Sequence, residues 1–127
     1  MANLEGVRVC VTGGTGMIGH FLTKELLELG ANVRVLSLDS SNDFDHKNIE
    51  VIKVDLRSRE NCEKAFKNQE KVFHLAGIKG SPKMTAMQPA SFFTNTLLFN
   101  LNVMDAAYKA GVSQFLFTSS VGVYAPA

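Results

Sequence analysis

Apolar and polar positions along this chain follow two alternating periods. Short runs rich in branched and aromatic residues predict strands, and longer stretches with apolar residues three and four apart predict helices. The predicted strands are Arg8 to Val11, Val33 to Leu38, Glu50 to Val54, Lys71 to Leu75 and Gln114 to Thr118. The first helix closes at Gly30 and carries its apolar side at Met17, Ile18, Phe21, Leu22, Leu26, Leu27 and Leu29.

Two further helices complete the alternation of elements. Ser58 is a candidate N-cap for a helix with Cys62, Ala65 and Phe66, and Pro89 fits the first turn of a long helix that ends at Gly111. We assign the regularly spaced apolar residues of the long helix to the core and to a subunit contact: Phe92, Phe93, Leu97, Leu101, Met104 and Ala107. Strands that alternate with helices define an α/β protein, and right-handed crossovers predict a Rossmann-type doubly wound parallel sheet of order 3-2-1-4-5, truncated after the fifth strand.

Two connections are predicted as loops. Residues 40 to 48 form a polar loop, and residues 77 to 88 contain two glycines and Pro82. The second loop lies beyond the carboxyl end of the fourth strand, where doubly wound sheets bind their ligands. His74 precedes it on an otherwise apolar strand, and we interpret it as a structural histidine with satisfied hydrogen bonds.

The most informative segment is VCVTGGTGMIGHF, which runs from Val9 to Phe21. Gly13, Gly16 and Gly19 stand where the first strand turns into the first helix. Glycines at this spacing allow a sharp turn, the approach of a pyrophosphate to backbone N–H groups, and close packing of the helix on the sheet. The segment therefore predicts a dinucleotide site, and the alternative is an ordinary strand-to-helix turn.

Composition limits the partners that this site can serve. The 127 residues suffice for one domain, with 46% hydrophobic and 20% charged residues and a net charge of +1. This charge favours neither nucleic acid nor an anionic membrane. Cys10 and Cys62 lack metal-site or disulfide spacing, so we expect two buried reduced thiols and no metal. The sequence shows no signal-peptide pattern and no apolar run long enough to span a bilayer, so we expect a cytoplasmic location by default.

Three segments together carry a family resemblance: the glycine turn, HLAGIK at residues 74 to 79 and SSVGVY at residues 119 to 124. The chain resembles the amino-terminal part of an extended short-chain dehydrogenase/reductase of the nucleotide-sugar epimerase and dehydratase family, and HLAGIK is similar to the segment in UDP-galactose 4-epimerases. The resemblance implies that residues 1 to 127 form an incomplete NAD(P)-binding Rossmann domain without a substrate region. It also implies a nicotinamide dinucleotide as cofactor and, for the full-length parent, a nucleotide-sugar substrate.

The resemblance assigns site residues one segment at a time. Ser120 matches the catalytic hydroxyl that hydrogen-bonds the reacting sugar oxygen, and Asp55 and Leu56 match an adenine-binding pair. Asn95 lies beside Thr96, the position that matches a helical asparagine near the cofactor. The remaining expected cofactor contacts are Gly13, Gly14, Thr15, Gly16, Met17, Ile18, Gly19, Asp39, Leu75, Ala76, Gly77, Lys79, Thr118 and Ser119.

Cofactor choice depends on the end of the second strand. A carboxylate there accepts hydrogen bonds from the adenosine ribose hydroxyls and repels a 2′-phosphate. Asp39 is the candidate, although family members carry the acid at the position of Ser37; the alternative for Asp39 is a solvated turn residue. No Arg or Lys occurs from residue 37 to residue 45, which favours NAD over NADP.

Family chemistry passes a hydride from a sugar carbon to the nicotinamide and uses a tyrosine with a lysine four residues later. Neither Tyr108 nor Tyr124 is followed by such a lysine in this sequence. We therefore expect cofactor binding without turnover from these residues, and an active epimerase or dehydratase as the parent. The alternatives are a non-catalytic NAD(P)-sensing regulator and an NADP-dependent reductase of the same superfamily.

The end of the predicted sheet also bears on assembly. Without a following helix, side chains among Phe115, Leu116 and Phe117 would be bare on one face of the sheet. We expect self-association into a homo-oligomer through that face or through the long helix.

Overall fold

The computed structural model describes residues 3–39 and 43–126. The strands are β1 (Arg8–Thr12), β2 (Asn32–Ser37), β3 (Ile49–Lys53), β4 (Lys71–His74) and β5 (Gln114–Phe117). The helices are α1 (Met17–Glu28), α2 (Arg59–Ala65), α3 (Pro82–Met87) and α4 (Pro89–Lys109), and a short 3-10 helix spans Val121–Val123. Each predicted strand is present, with ends that differ by a single residue.

The five strands form one sheet in the order β3-β2-β1-β4-β5, and every neighbouring pair is parallel. The predicted Rossmann-type sheet is thereby confirmed. In the register, Thr12 of β1 pairs with Leu36 on one side and His74 on the other, and His74 pairs with Phe117. The carboxyl ends of these four strands therefore meet at one edge of the sheet.

The core has one cluster on each face of the sheet. On one face, α1 covers a cluster that includes Val9 and Val11; on the other, α2 and α4 cover a cluster with Cys10 and Phe66. Successive residues of β1 point to opposite faces, and both faces are covered by helices. This double coverage explains why Val9, Cys10 and Val11 form a continuous apolar run in β1 instead of alternating with polar residues.

Local signals set most helix ends as predicted. Ser58 accepts a hydrogen bond from the backbone N–H of Asn61 at 3.3 Å and caps α2. Gly30 and Gly111 follow α1 and α4 in the left-handed region, with φ of +86° and +73°. A residue without Cβ occupies this conformation at little cost, so both helices end where their glycines allow.

One predicted loop contains a helix. The sequence predicts a loop throughout residues 77 to 88, but Pro82–Met87 forms α3. Ser81 accepts a hydrogen bond from the N–H of Met84 at 3.2 Å, and Pro82 occupies the first turn, where its missing N–H costs nothing. Six residues are too few to show helical periodicity, so the pattern of apolar residues does not predict α3.

The structure also corrects the predicted apolar faces of two helices. Leu26 and Leu27 of α1 are buried as predicted, together with Gly19 and Thr23, whereas Met17, Ile18 and Phe21 are 64 to 81% exposed. The buried residues of α4 are Phe99, Val103, Ala106 and Ala107, so of the six residues assigned to its core face only Ala107 is buried. Both helices are apolar around much of their circumference, so spacing alone did not select the face that packs.

Both cysteines are buried and free, as predicted. Burial raises the pKa of the Cys62 thiol to about 11 and raises that of Cys10 further, so both stay protonated near neutral pH. Leu116 and Phe117 of β5 are about half exposed. No helix within the described ranges has the length and apolar content to cross a bilayer.

Candidate functional site

The predicted site residues collect at the carboxyl edge of the sheet. The glycine turn follows β1, Asp39 follows β2, the segment from Leu75 to Lys79 follows β4, and Thr118 to Ser120 follow β5. Ligands of open parallel sheets bind at this edge, beside the strands where the connections change direction. Here that position lies between β1 and β4, which are paired in the sheet but not consecutive in the chain.

Gly13, Gly14 and Gly19 of the turn are required by the protein's own packing; at Gly14 a Cβ would lie 2.7 Å from the buried Val35 side chain. Gly13 has φ of +70°, and a Cβ there would lie 2.9 Å from both Cα and N of Ala76. At Gly19 a Cβ would lie only 2.2 Å from the carbonyl oxygen of Gly13. These residues let the loop after β4 and helix α1 pack directly against the turn.

Gly16 differs from these three glycines. Its φ of −75° and ψ of 174° suit any residue, and a Cβ would meet only the Gly13 oxygen, at 3.2 Å. Apart from this one tight contact, the protein's own packing leaves the side of Gly16 open. Gly16 is the N-cap of α1 without a side-chain hydrogen bond, and the first turn holds no acidic residue. The first N–H groups of a helix have no intrahelical partner, so this open cradle fits a diphosphate.

Three polar side chains meet beside this cradle at the end of β2. The hydroxyls of Thr15 and Ser37 are 2.7 Å apart, and Thr15 Oγ1 donates to Asp39 Oδ2 at 3.5 Å. Ser37 Oγ also accepts the backbone N–H of Asp39 at 3.0 Å. Asp39 is exposed, and the turn and the end of β2 therefore present one carboxylate next to the glycine segment.

The pair expected to hold adenine lies after β3. Asp55 is bound by Arg57 through contacts of 2.7 to 3.2 Å between the guanidinium and the carboxylate. Hydrogen bonding from this guanidinium, with the backbone N–H of Arg57 as a second donor, holds the pKa of Asp55 below its ordinary value. Leu56 is 9% exposed and packs in the core. The adenine role of both residues remains a prediction, and it requires that the carboxylate serve the base together with Arg57.

The loop after β4 lies against the glycine turn. The N–H groups of Leu75 and Ala76 donate to the carbonyl oxygen and the hydroxyl of Thr12, at 3.2 and 3.1 Å. Space is open around Gly77, where a Cβ would contact nothing within 4 Å. Lys79 is exposed and lines a groove between this loop and the start of α4, together with Met84, Phe92 and Asn95.

The two candidate positions on α4 have different surroundings. Asn95 Nδ2 donates to the backbone oxygen of Ser91 at 3.0 Å, one turn earlier on the helix. The Thr96 hydroxyl is buried and has no hydrogen-bond partner among the described residues. The hydroxyl of Thr96, the position that matches the family asparagine, therefore points to the interior. The side chain of Asn95 lies along the helix surface.

The residues after β5 are exposed. Thr118 Oγ1 donates to the backbone oxygen of His74 at 3.3 Å, which ties the start of this segment to β4. Ser120 Oγ accepts the N–H of Gly122 at 3.2 Å and so retains its own hydrogen for donation. A hydroxyl in this state can donate to a sugar oxygen, which is the role that the resemblance implies for Ser120.

His74 is structural, as its position suggested. It has no exposed surface and lies between Thr12 Oγ1, 2.6 Å from Nδ1, and Asn100 Oδ1, 2.7 Å from Nε2. Burial lowers its pKa, and the hydrogen bond with Asn100 opposes part of that shift. The sequence reasoning overlooked Thr12 and Asn100; a polar residue in an apolar strand and another among the apolar residues of α4 were the available signals.

The fold and the glycine turn define a Rossmann-type α/β domain with a cradle of backbone N–H groups at the carboxyl edge of its sheet. The model of the NAD dependent epimerase/dehydratase family matches residues 9–127, and the chain belongs to that family. The chain is 32% identical to the UDP-glucose 4-epimerase of Haemophilus influenzae over 91% of its own length and 37% of that protein. Similar curated relatives are likewise covered for little more than a third of their length.

Solved structures agree with this membership. The UDP-glucose 4-epimerase of Thermus thermophilus, determined in complex with NAD, is 34% identical with a TM-score of 0.77 over 90% of this chain and 38% of that one. The UDP-glucose 4-epimerase of Thermotoga maritima, determined with UDP-glucose, is 29% identical with a TM-score of 0.79 over 91% and 38%.

Proposed function

We propose that these residues form the NAD-binding part of a nucleotide-sugar epimerase or dehydratase. The observation that carries the proposal is the open side of Gly16 at the start of α1, where the packing of the protein leaves room and the backbone offers N–H donors. Relatives solved with NAD and with UDP-glucose support the classes of cofactor and substrate. When bound, the dinucleotide would supply the hydride acceptor for oxidation of a sugar hydroxyl.

Each part of the chain has a defined task in this proposal. The N–H groups of Thr15, Met17 and Ile18 hold the diphosphate, whereas that of Gly16 donates to the Gly13 oxygen at 3.0 Å within the turn. Asp39 accepts from the adenosine ribose. The backbone from Leu75 to Gly77 borders the cofactor, and Lys79 adds a positive charge beside it. Ser120 donates to the substrate oxygen. The identity of the sugar depends on contacts outside these residues, because the chain spans just over a third of its relatives.

Selectivity for NAD over NADP follows from charge at the end of β2. Asp39 lies 3.5 Å from Thr15 and is held in place by its backbone bond to Ser37. A carboxylate at this point would lie beside a 2′-phosphate and repel it, and residues 37 to 45 contain no Arg or Lys to neutralise the phosphate. The negative charge of Asp39 thus accounts for the proposed preference for NAD over NADP.

Titration with NADH and NADPH tests both the site and its selectivity. The sequence contains no tryptophan, so the fluorescence of the reduced nicotinamide can be followed with little protein background. We expect saturable binding of one NADH per chain, with weaker binding of NADPH. Asp39→Asn should weaken NADH binding and reduce the ratio of NADH affinity to NADPH affinity. Asp43→Asn, in the loop beyond β2, is the control with the same change in charge. Absence of saturable binding to either cofactor would contradict the proposal.

Turnover is tested separately. The family reaction uses a tyrosine followed four residues later by lysine, and this sequence has no such pair. We expect the 127-residue chain to bind cofactor without converting UDP-glucose to UDP-galactose. Conversion by the purified chain would contradict this part of the proposal and leave cofactor binding in place.

A further inference from the structure

A line of hydrogen bonds crosses the protein beneath the cofactor cradle. Asn100 Oδ1 on α4 lies 2.7 Å from His74 Nε2, and His74 Nδ1 lies 2.6 Å from Thr12 Oγ1. Thr12 Oγ1 also accepts the backbone N–H of Ala76 at 3.1 Å. Thr12 and His74 have no exposed surface, so water does not compete for these bonds.

The chemistry of the end group fixes the direction of the line. An amide oxygen only accepts, so we assign a proton to His74 Nε2, which donates to Asn100. In the neutral imidazole Nδ1 is then an acceptor, and it takes the hydroxyl hydrogen of Thr12. The Thr12 oxygen is left to accept from Ala76. All donors point the same way, an arrangement in which hydrogen bonds reinforce one another.

The surroundings of His74 favour its neutral form. Among the described residues, its recorded side-chain contacts from β1, α4 and β5 carry no charge. They are Thr12, Asn100 and the rings of Phe99, Phe115 and Phe117, whose centroids lie 5.7 to 6.0 Å away. A charged imidazole would gain no ion pair in this setting and would lose its hydration.

The last donor of the line belongs to the cradle. A Cβ on Gly13 would lie 2.9 Å from the backbone N and Cα of Ala76, so the loop after β4 rests directly on the glycine turn. The hydroxyl of Thr12 is the acceptor of the Ala76 N–H. The orientation of that hydroxyl, in turn, depends on which nitrogen of His74 is free to accept its hydrogen.

We infer that His74, oriented by Asn100, is a positioning residue for the cofactor cradle: its neutral Nε2–H tautomer fixes the Thr12 hydroxyl, which holds the Ala76 amide against the glycine turn. His74 itself stays away from the cofactor. The effect of His74 on cofactor affinity rests on the proposed function. Its effect on the Ala76 amide rests only on the hydrogen bonds that join Asn100, His74, Thr12 and Ala76.

The structural part is tested without cofactor, by nuclear magnetic resonance on the full 127-residue chain. In the wild-type chain, the imidazole nitrogen shifts should report the Nε2–H tautomer. Thr12→Val keeps the shape of the side chain and removes the acceptor, so exchange of the Ala76 amide with solvent should become roughly 5- to 10-fold faster. Ser113→Ala removes a 2.9 Å hydrogen bond to Glu70 at the opposite end of the sheet and should leave Ala76 unchanged.

Asn100 supplies a second variant with a signature that simple loss of packing would not give. Asn100→Asp places a carboxylate beside Nε2 and stabilises the charged imidazole, which raises the pKa of His74. NADH affinity of the wild-type chain should fall on acidification only below the ordinary histidine range, because protonation of Nδ1 ends its role as acceptor. In Asn100→Asp the fall should move to higher pH.

The outcomes separate the two proposals. An Nδ1–H tautomer in the wild-type chain, or unchanged Ala76 exchange in Thr12→Val, would overturn the positioning role even if NADH binds. If the wild-type chain binds neither NADH nor NADPH, the proposed function fails, while the tautomer and exchange measurements still decide the relay. Identical pH profiles for wild type and Asn100→Asp would also contradict the inference.

Discussion

Replacement of Gly16 separates a glycine kept for a ligand from glycines kept for the fold. The backbone at Gly16 is extended, with φ of −75° and ψ of 174°, so a side chain adds no backbone dihedral strain there. Its Cβ would meet one atom, the Gly13 oxygen at 3.2 Å. Gly19 is the contrasting position, because its Cβ would lie 2.2 Å from the same oxygen.

The expected stability changes follow from these distances. Gly16→Ala reduces the entropy of the unfolded chain, which stabilises by about 0.4 to 1 kcal/mol. The weaker N-cap preference of alanine offsets a similar amount, so the free energy of unfolding should stay within about 1 kcal/mol of wild type. Gly19→Ala forces backbone apart and should cost on the order of 3 kcal/mol.

The expected change in affinity is larger than the change in stability. A side chain at Gly16 fills the space that the diphosphate needs, and Gly16→Val fills more of it. Loss of one hydrogen bond to a charged group costs about 1.5 to 3 kcal/mol, which corresponds to roughly 10- to 150-fold in the NADH dissociation constant.

The assay pairs NADH fluorescence titration with urea unfolding of each variant. Gly111→Ala is the matched control. Alanine at a φ of +73° should lower the free energy of unfolding by about 1 to 2 kcal/mol, but the residue lies far from the site, so NADH affinity should not change. NADH affinity of Gly16→Val equal to that of wild type would show that Gly16 is not kept for a ligand. So would an affinity loss in Gly111→Ala that matches the loss in Gly16→Val.

Three further predictions concern pH, ion pairs and assembly. Because burial lowers the pKa of His74 in the folded chain, the unfolded chain takes up a proton at this residue at higher pH than the folded chain does. At pH values below about 6.5 the free energy of unfolding should therefore decrease, by at most about 1.4 kcal/mol per pH unit. His74→Asn should remove this pH dependence in urea unfolding experiments. Asp105 is 2.9 Å from both Arg59 and Lys109 on the surface of α2 and α4, so Asp105→Asn should lower the melting temperature slightly in low salt and not in 1 M salt; an equal loss in both would contradict a screened ion pair. Leu101 and Met104 of α4 are more than half exposed, so sedimentation should show self-association at micromolar concentration that Leu101→Lys weakens; a wild-type monomer would contradict it.

The number and order of the strands could be predicted from the sequence. Short apolar strands that alternate with helices and end at glycines are compatible with few folds other than a parallel sheet covered on both faces. Strand order, the glycine turn and the Ser58 cap all followed from local pattern and general connection rules. Helix α3 was missed, because a six-residue helix has no periodicity to detect. These predictions depend on residues close together in the chain.

The errors concern contacts between distant residues. The buried face of α4 is set by Phe99 and Val103, although Leu97 and Leu101 have the same apolar character and a similar spacing. The line from Asn100 through His74 to Thr12 joins residues on three elements, and no local pattern links them. Which of several equivalent faces packs, and which polar groups pair, is decided only when the layers come together.

In the proposed site, backbone amides of the turn between β1 and α1 bind the diphosphate of a nicotinamide dinucleotide. Titration of the ¹⁵N-labelled chain with NAD, followed residue by residue through the amide resonances, measures this contact directly. We expect saturating shifts that are largest from Thr15 to Ile18 and that also include Ala76. Saturation with NAD that leaves these amides unshifted, or no binding at all, would contradict the account.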